Sequence, residues 1–217
     1  RFMNGNWILK QKRFPKNNGN GTFSEVSRLA GVEATDWSWG ALIFDMDNDG
    51  WKDIFVANGI YKDLLDQDYV NFVANPEFIR QSIKRKGEIL KQLIDSIPSN
   101  KISNYAFHNQ RNLTFKNRAA EWGLDMPTHS NGSAYGDLDN DGDLDLVLNN
   151  ANMPAHIYEN RSKELLTRNN SISVVLEGDS KNIFGVGSKI NAKSGGDEYY
   201  QELSPMRGFM SSVDYKI

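Results

Sequence analysis

The chain has 217 residues, 39% of them hydrophobic and 24% charged, with a net charge of −3. Such a composition is ordinary for a globular protein, and no apolar run approaches the roughly 18 residues that a membrane-spanning helix needs. Cysteine is absent, which excludes disulfides, thiolate metal sites and cysteine nucleophiles.

The chain opens on Arg1-Phe2-Met3-Asn4 and passes at once into polar, turn-rich sequence, as the interior of a longer protein does. A turn at Asn20-Gly21-Thr22-Phe23 leads to Ala30-Gly31-Val32, then a predicted strand at Ala41-Leu42-Ile43-Phe44. An acidic loop follows, carrying Asp45, Asp47, Asp49 and Asp53, and Ile54-Phe55-Val56-Ala57 reads as the strand that leaves it. From about residue 60 to 104 the pattern turns helical. Asn75-Pro76-Glu77 is a helix start, with an Asn cap, Pro in the first position and an acid beside the positive end of the dipole. Ile79, Ile83, Leu90, Leu93, Ile94 and Ile97 recur at helical spacing, which predicts an apolar face packed on the rest of the fold. Lys84-Arg85-Lys86 reads as a solvated face of this insertion. The insertion could also mediate assembly.

The first pattern then returns. Asn112-Leu113-Thr114-Phe115 repeats the turn, and Asp137-Leu138-Asp139-Asn140-Asp141-Gly142 repeats Asp45-Met46-Asp47-Asn48-Asp49-Gly50, both at an offset of 92 residues. Gly31 and Gly123, Ser38 and Ser130, and Gly40 and Gly132 share that offset. Predicted strands at Ser133-Ala134-Tyr135-Gly136 and Leu146-Val147-Leu148-Asn149 flank the second loop. Internal repetition of short strands around a fixed motif is the signature of a β-propeller blade. Arg161 to Asn170 is polar and reads as a linker. Beyond it, strands are predicted at Ile172 to Leu176, Ser188 to Ala192 and Tyr199 to Leu203. Gly185 and Gly187 open no helix and so form no nucleotide-binding fingerprint.

The acidic loops carry the chemistry. Numbered over nine positions, Asp45, Asp47, Asp49 and Asp53 fill positions 1, 3, 5 and 9, as do Asp137, Asp139, Asp141 and Asp145. Gly50 and Gly142 permit a sharp turn, after which the backbone carbonyl of Trp51 or Asp143 can face inward. Carboxylates, one carbonyl and water give the six to eight hard oxygens that Ca2+ prefers, so two calcium sites are predicted. Mg2+ demands a stricter octahedron, and Zn2+ would want nitrogen or sulfur. The loop differs from an EF-hand, because the position of its closing Glu is Val56 or Leu148 inside an apolar strand. Setting aside the nine loop aspartates leaves 19 acids against 25 bases, too diffuse a basic excess for a nucleic-acid surface. His108, His129 and His156 show no ligand spacing in sequence and read as polar or turn residues. The Asn-x-Ser/Thr positions at Asn20, Asn112, Asn131, Asn160 and Asn169 read mostly as turn asparagines.

At these residues the chain resembles the FG-GAP/VCBS repeats, the calcium-binding blades of integrin-type propellers. The tail, with Asn182-Ile183-Phe184-Gly185-Val186-Gly187-Ser188-Lys189-Ile190, Gly195-Gly196, Gln201-Glu202 and Arg207-Gly208-Phe209-Met210-Ser211-Ser212, resembles the ASPIC/UnbV domain. The pairing occurs in many exported bacterial proteins. The resemblance implies a mainly β fold: partial propeller blades over residues 1–163 with a helical insertion at 60–104, then a small and truncated β domain over 164–217. It implies a secreted or cell-surface location and a non-catalytic binding or scaffold role with a protein or glycan ligand. The alternative is a polysaccharide-acting enzyme, or a component of a glycan-utilisation system, with Trp37 and Trp39 stacking on sugar. However, the carboxylates are grouped as metal ligands rather than as two isolated acids across a cleft, and the more usual place for those tryptophans is the blade core.

Overall fold

The computed structural model describes residues 13–84, 88–166 and 169–217. Its architecture is mainly β. A hairpin of β1 (Pro15–Asn17) and β2 (Phe23–Glu25) is followed by the single turn α1 (Ser27–Ala30). The first blade-like sheet has the order β3 (Ser38–Phe44), β4 (Asp53–Asn58), β5 (Tyr105–Asn109), β6 (Phe115–Asn117), antiparallel throughout. The second holds β7 (Ser130–Gly136), β8 (Asp145–Asn150) and β9 (His156–Tyr158). The helical turn α5 (Ser162–Leu165) and the hairpin β10 (Lys189–Ser194), β11 (Asp197–Glu202) complete the chain.

The 92-residue repeat is a repeat of hydrogen bonds. Asn20 Oδ1 accepts from the Thr22 N–H at 3.1 Å, and Asn112 Oδ1 from the Thr114 N–H at 3.0 Å. Each is a local side-chain turn of the kind that asparagine favours. Ala30 N–H donates to Val26 O, and Trp122 N–H to Arg118 O. Gly59 N–H donates to Trp37 O, and Ala151 N–H to His129 O, both at 2.9 Å. The strand pairs break register in the same place, between Ser38 and Ala41 and between Ser130 and Ser133.

Burial explains the sequence pattern. β4 is buried along its whole length, as its unbroken apolar run requires of a strand covered on both faces. On one side Ile54 and Val56 meet Ala30, Val32 and Phe107. On the other, Leu42, Phe44 and Phe55 join Leu146 and Leu148 in a core shared by the two sheets. Phe44 stacks on Tyr135 across this boundary, with centroids 4.4 Å apart. At the ends of β3 and β4 farthest from the acidic loop, a buried polar seam ties the sheets together. Asn104 accepts from the Asn58 N–H at 2.9 Å and donates to Ser130 Oγ at 3.2 Å.

The insertion is helical, as α2 (Gln67–Val73), α3 (Pro76–Lys84) and α4 (Glu88–Ser96). Asn75 caps α3 by accepting from the Glu77 N–H at 2.9 Å. The expected apolar face is only partly packed: Ile97 is buried, whereas Ile79 and Ile94 stay about half exposed. α3 meets α2 instead, with Phe72 and Phe78 4.6 Å apart. The basic run Lys84-Arg85-Lys86 and the face positions Ile83 and Leu90 lie outside the described side chains, and the opening residues Arg1 to Asn4 outside the described chain.

The predicted strand at Ile172 to Leu176 does not form. Only Val174 pairs, in a reciprocal backbone contact with Ile217, and one pair cannot sustain a ladder. Gly195 and Gly196 make the two-residue turn of the β10–β11 hairpin, both at positive φ as a tight turn of that length requires.

Candidate metal centres

Each acidic loop bridges the first two strands of its sheet. In both, the Asn at position 4 and the Gly at position 6 are left-handed: Asn48 and Asn140 at φ 55° and 63°, Gly50 and Gly142 at 88° and 98°. These inversions coil the loop so that alternate carboxylates converge.

The closing aspartate is held from both sides. Asp53 Oδ2 accepts from the Met46 N–H at 3.2 Å and its Oδ1 from the Asn109 N–H at 2.8 Å. Asp145 repeats this with the N–H groups of Leu138 and Asn160, at 2.9 and 2.8 Å. Antiparallel pairing lays the C-terminal end of β5 beside the start of β4, and the end of β9 beside the start of β8, which brings Asn109 and Asn160 to equivalent places. Their side-chain amides reach Lys52 O and Leu144 O, at 3.0 and 3.1 Å. Position 9 is thus a strand clamp as well as a candidate ligand.

Among the described residues three groups converge tightly enough to hold a metal ion: Asp45 with Asp47 and Asp53, Asp47 with Asp49 and His108, and Asp137 with Asp139 and Asp141. Asp145 stands outside the third group. The carboxylate of Asp143 turns away from its own loop and accepts from Asn48 Nδ2 at 2.7 Å and from the Lys163 N–H at 2.6 Å. At position 7 the Trp51 N–H donates to Asp49 Oδ1, and the Asp143 N–H to Asp141 Oδ1, both at 2.8 Å.

His108 corrects its reading as a bland polar residue. Its Nε2 lies 3.2 Å from Asp47 Oδ2 and 3.8 Å from Asp49 Oδ2, so a nitrogen donor does stand beside the first loop. Arg111 joins it, with Nη2 2.8 Å from Asp49 Oδ2. At the second loop Lys216 Nζ reaches Asp137 Oδ2 at 2.6 Å. The polar run after Arg161 touches both loops: Asn169 donates to Asp47 O, and Ser171 Oγ to Gly142 O, each at 2.8 Å. The tail also packs on Trp39, whose ring lies 4.8 Å from that of Phe209; this tryptophan stays 38% exposed and is not in a blade core.

The electrostatics follow from burial. Desolvation pushes the Asp45 carboxyl up to about 6 and the Asp53 carboxyl up to about 7. Burial, then the neighbouring Asp49, raises Asp47 as well. Asp137 is held below the usual carboxylate range, chiefly by the hydrogen bond from Lys216. Asp47 Oδ1 and Asp137 Oδ1 are buried with no hydrogen-bond partner. A buried carboxylate oxygen without a donor is costly, and a divalent cation is what its donor chemistry fits.

Beside the first loop a cleft of about 380 Å3 opens between the sheets, walled by Phe44, Trp122, Leu146 and Tyr158, with Asp47 at its edge.

Antiparallel blade-like sheets, each with a nine-residue acidic loop between its first two strands, define a propeller-type repeat protein. Residues 13–56 match the family model of the FG-GAP-like repeat, and residues 178–217 match that of ASPIC and UnbV. The chain thus carries an FG-GAP-like repeat and an ASPIC/UnbV segment, and FG-GAP repeats are usually extracellular or surface modules. Over 56 residues it is 45% identical to cartilage acidic protein 1 of Mus musculus. That stretch spans 25% of this chain and 9% of the mouse protein. No helix among the described residues is long and apolar enough to cross a membrane.

Proposed function

We propose that the chain is a secreted or surface-exposed binding or scaffold module, non-catalytic, whose two acidic loops hold Ca2+ and pin neighbouring blades. In the first loop Asp45, Asp47, Asp49 and Asp53 would supply carboxylate oxygens, and Trp51 its carbonyl. In the second, Asp137, Asp139, Asp141 and Asp145 would do so, with the carbonyl of Asp143. A bound cation neutralises the converging carboxylates and so removes the repulsion that opposes the loop's coil. The observation that carries this reading is the buried, partnerless oxygen that each loop retains, on Asp47 and on Asp137. The ligand of the module is a protein or a glycan.

Calorimetric titration of metal-stripped protein with CaCl2 tests the reading. Two ions per chain are expected. Calcium at about 100 times its Kd adds about 2.7 kcal/mol of stability per site, seen as a higher melting temperature that chelation reverses. An identical melt with and without calcium would defeat it.

A further inference from the structure

We infer that the two loops are chemically unlike, and that the first is a mixed imidazole–carboxylate site, with His108 Nε2 as a ligand, that takes a first-row divalent transition metal in preference to Ca2+. This inference deepens the metal-loop reading proposed above and rests on it.

The geometry points to coordination. Neighbouring donor atoms around a six-coordinate ion with bonds of about 2.1 Å lie about 3 Å apart. His108 Nε2 stands 3.2 Å from Asp47 Oδ2 and 3.8 Å from Asp49 Oδ2. The other oxygen of Asp47 is buried without a partner. The ring is already oriented. Trp122 meets it edge to face, with centroids 5.8 Å apart, and the Gln110 side-chain amide lies 2.7 Å from Nδ1. Metal binding at Nε2 needs the ring proton on Nδ1. Rotation of the Gln110 amide then presents its oxygen to that N–H, the outer contact that metal-bound histidines usually keep, at the loss of the 3.3 Å hydrogen bond that the amide now gives to His108 O. Arg111 does not block the site, since its side chain is 56% exposed and can swing into solvent from Asp49.

The second loop offers no such donor. The position equivalent to His108, just before the clamp residue Asn160, is Glu159. Its group is Asp137, Asp139 and Asp141, with Lys216 as the nearby cation. Imidazole adds little for calcium, a hard ion that prefers oxygen, and much for the later divalent metals. The loops therefore share a backbone and differ in selectivity.

Co2+ is the probe. Metal-stripped wild type and His108→Ala are titrated separately with CoCl2 and CaCl2, followed by calorimetry, visible absorption and proton NMR. The wild type is expected to bind one Co2+ at least about tenfold more tightly than His108→Ala. It should also show one paramagnetically shifted, solvent-exchangeable imidazole N–H resonance that the variant lacks. The assignment is clear, because the other two histidines, His129 and His156, face Tyr61 and Tyr158. Calcium binding should be nearly unchanged by the substitution. Equal Co2+ affinity in the two proteins, or Co2+ bound without the shifted N–H, overturns the inference and leaves the calcium reading standing. The shifted N–H with no calcium uptake at either loop does the reverse. His108→Asn serves as the second variant should the alanine form fold poorly.

Discussion

The side-chain amide of Asn48, in the first acidic loop, donates to the carboxylate of Asp143, in the second, at 2.7 Å and across 95 residues of chain. Asp143 is fully buried, and its other oxygen accepts from the Lys163 N–H. The two candidate metal loops are therefore wired to each other. Asn48→Ala leaves a buried acceptor short of one donor, a loss worth about 1–3 kcal/mol. Urea denaturation should show that loss with and without calcium. A double-mutant cycle with Asp143→Ala should give a coupling energy clearly above zero, and strict additivity would mean that the contact carries no energy.

The clamp aspartates should behave unlike the other loop acids. Asp145 accepts backbone N–H groups on both oxygens. Asp145→Asn sets an amide NH2 against one of those donors, so it should cost about 1–3 kcal/mol even in metal-free protein. Asp139→Asn should cost little until calcium is present, and then lose the calcium-dependent part of the stability. Melting the two variants in chelator and in excess calcium separates the roles. Equal losses in chelator would refute the distinction.

The sequence carried the loops because their signal is local: fixed spacing, glycine at the inversion and a repeat that excludes chance. The Asn20 and Asn112 turns and the Asn75 cap were legible for the same reason. What escaped was set by strand pairing at long range. His108 reaches Asp47 only because β5 lies beside β4 across a helical insertion, and no spacing rule joins residues 61 positions apart. The Asn48–Asp143 contact likewise depends on how two sheets meet. The repeat itself held the usable clue, since aligning the sheets on Asn109 and Asn160 places a histidine where the other copy has glutamate. The strand expected at Ile172 to Leu176 failed for the complementary reason: alternation proposes a strand, but only a neighbour can pair with it.

Two glycines at the repeat offset admit the C-terminal segment. A Cβ on Gly40 would fall 2.6 Å from Phe209 N, and one on Gly132 would fall 3.1 Å from Ser211 Oγ. Ser211 Oγ also accepts from the Ser133 N–H at 3.2 Å. Gly40→Ala meets backbone that cannot yield and should cost about 1–3 kcal/mol through overpacking. Gly132→Ala meets a hydroxyl that can rotate and should cost less. Hydrogen exchange over residues 205–213 should accelerate in Gly40→Ala while β4 stays protected. Unchanged exchange in that segment would show that the tail is held elsewhere.

The metal-free protein should also have an inverted response to acid. Burial raises the Asp45 carboxyl to about 6 and the Asp53 carboxyl to about 7, against an ordinary value near 3.8 in each case. A carboxyl whose value is higher in the folded state binds its proton more tightly there. Its contribution to stability is complete below the unfolded value and is lost as pH rises through the folded one. Metal-stripped protein should therefore melt at a higher temperature near pH 5 than near pH 8. Asp137 and His129 run the other way: Lys216 lowers Asp137, whose contribution fades only below the ordinary carboxylate range, and burial lowers His129, which offsets part of the gain of the two aspartates near pH 5. Saturating calcium must compete with protons for the same oxygens. It should stabilise more at pH 8 than at pH 5 and reverse the order of the two melts. Thermal melts of stripped and calcium-loaded protein at both values decide the matter, and a stripped protein more stable at pH 8 would show that Asp45 and Asp53 are not the groups that set the balance.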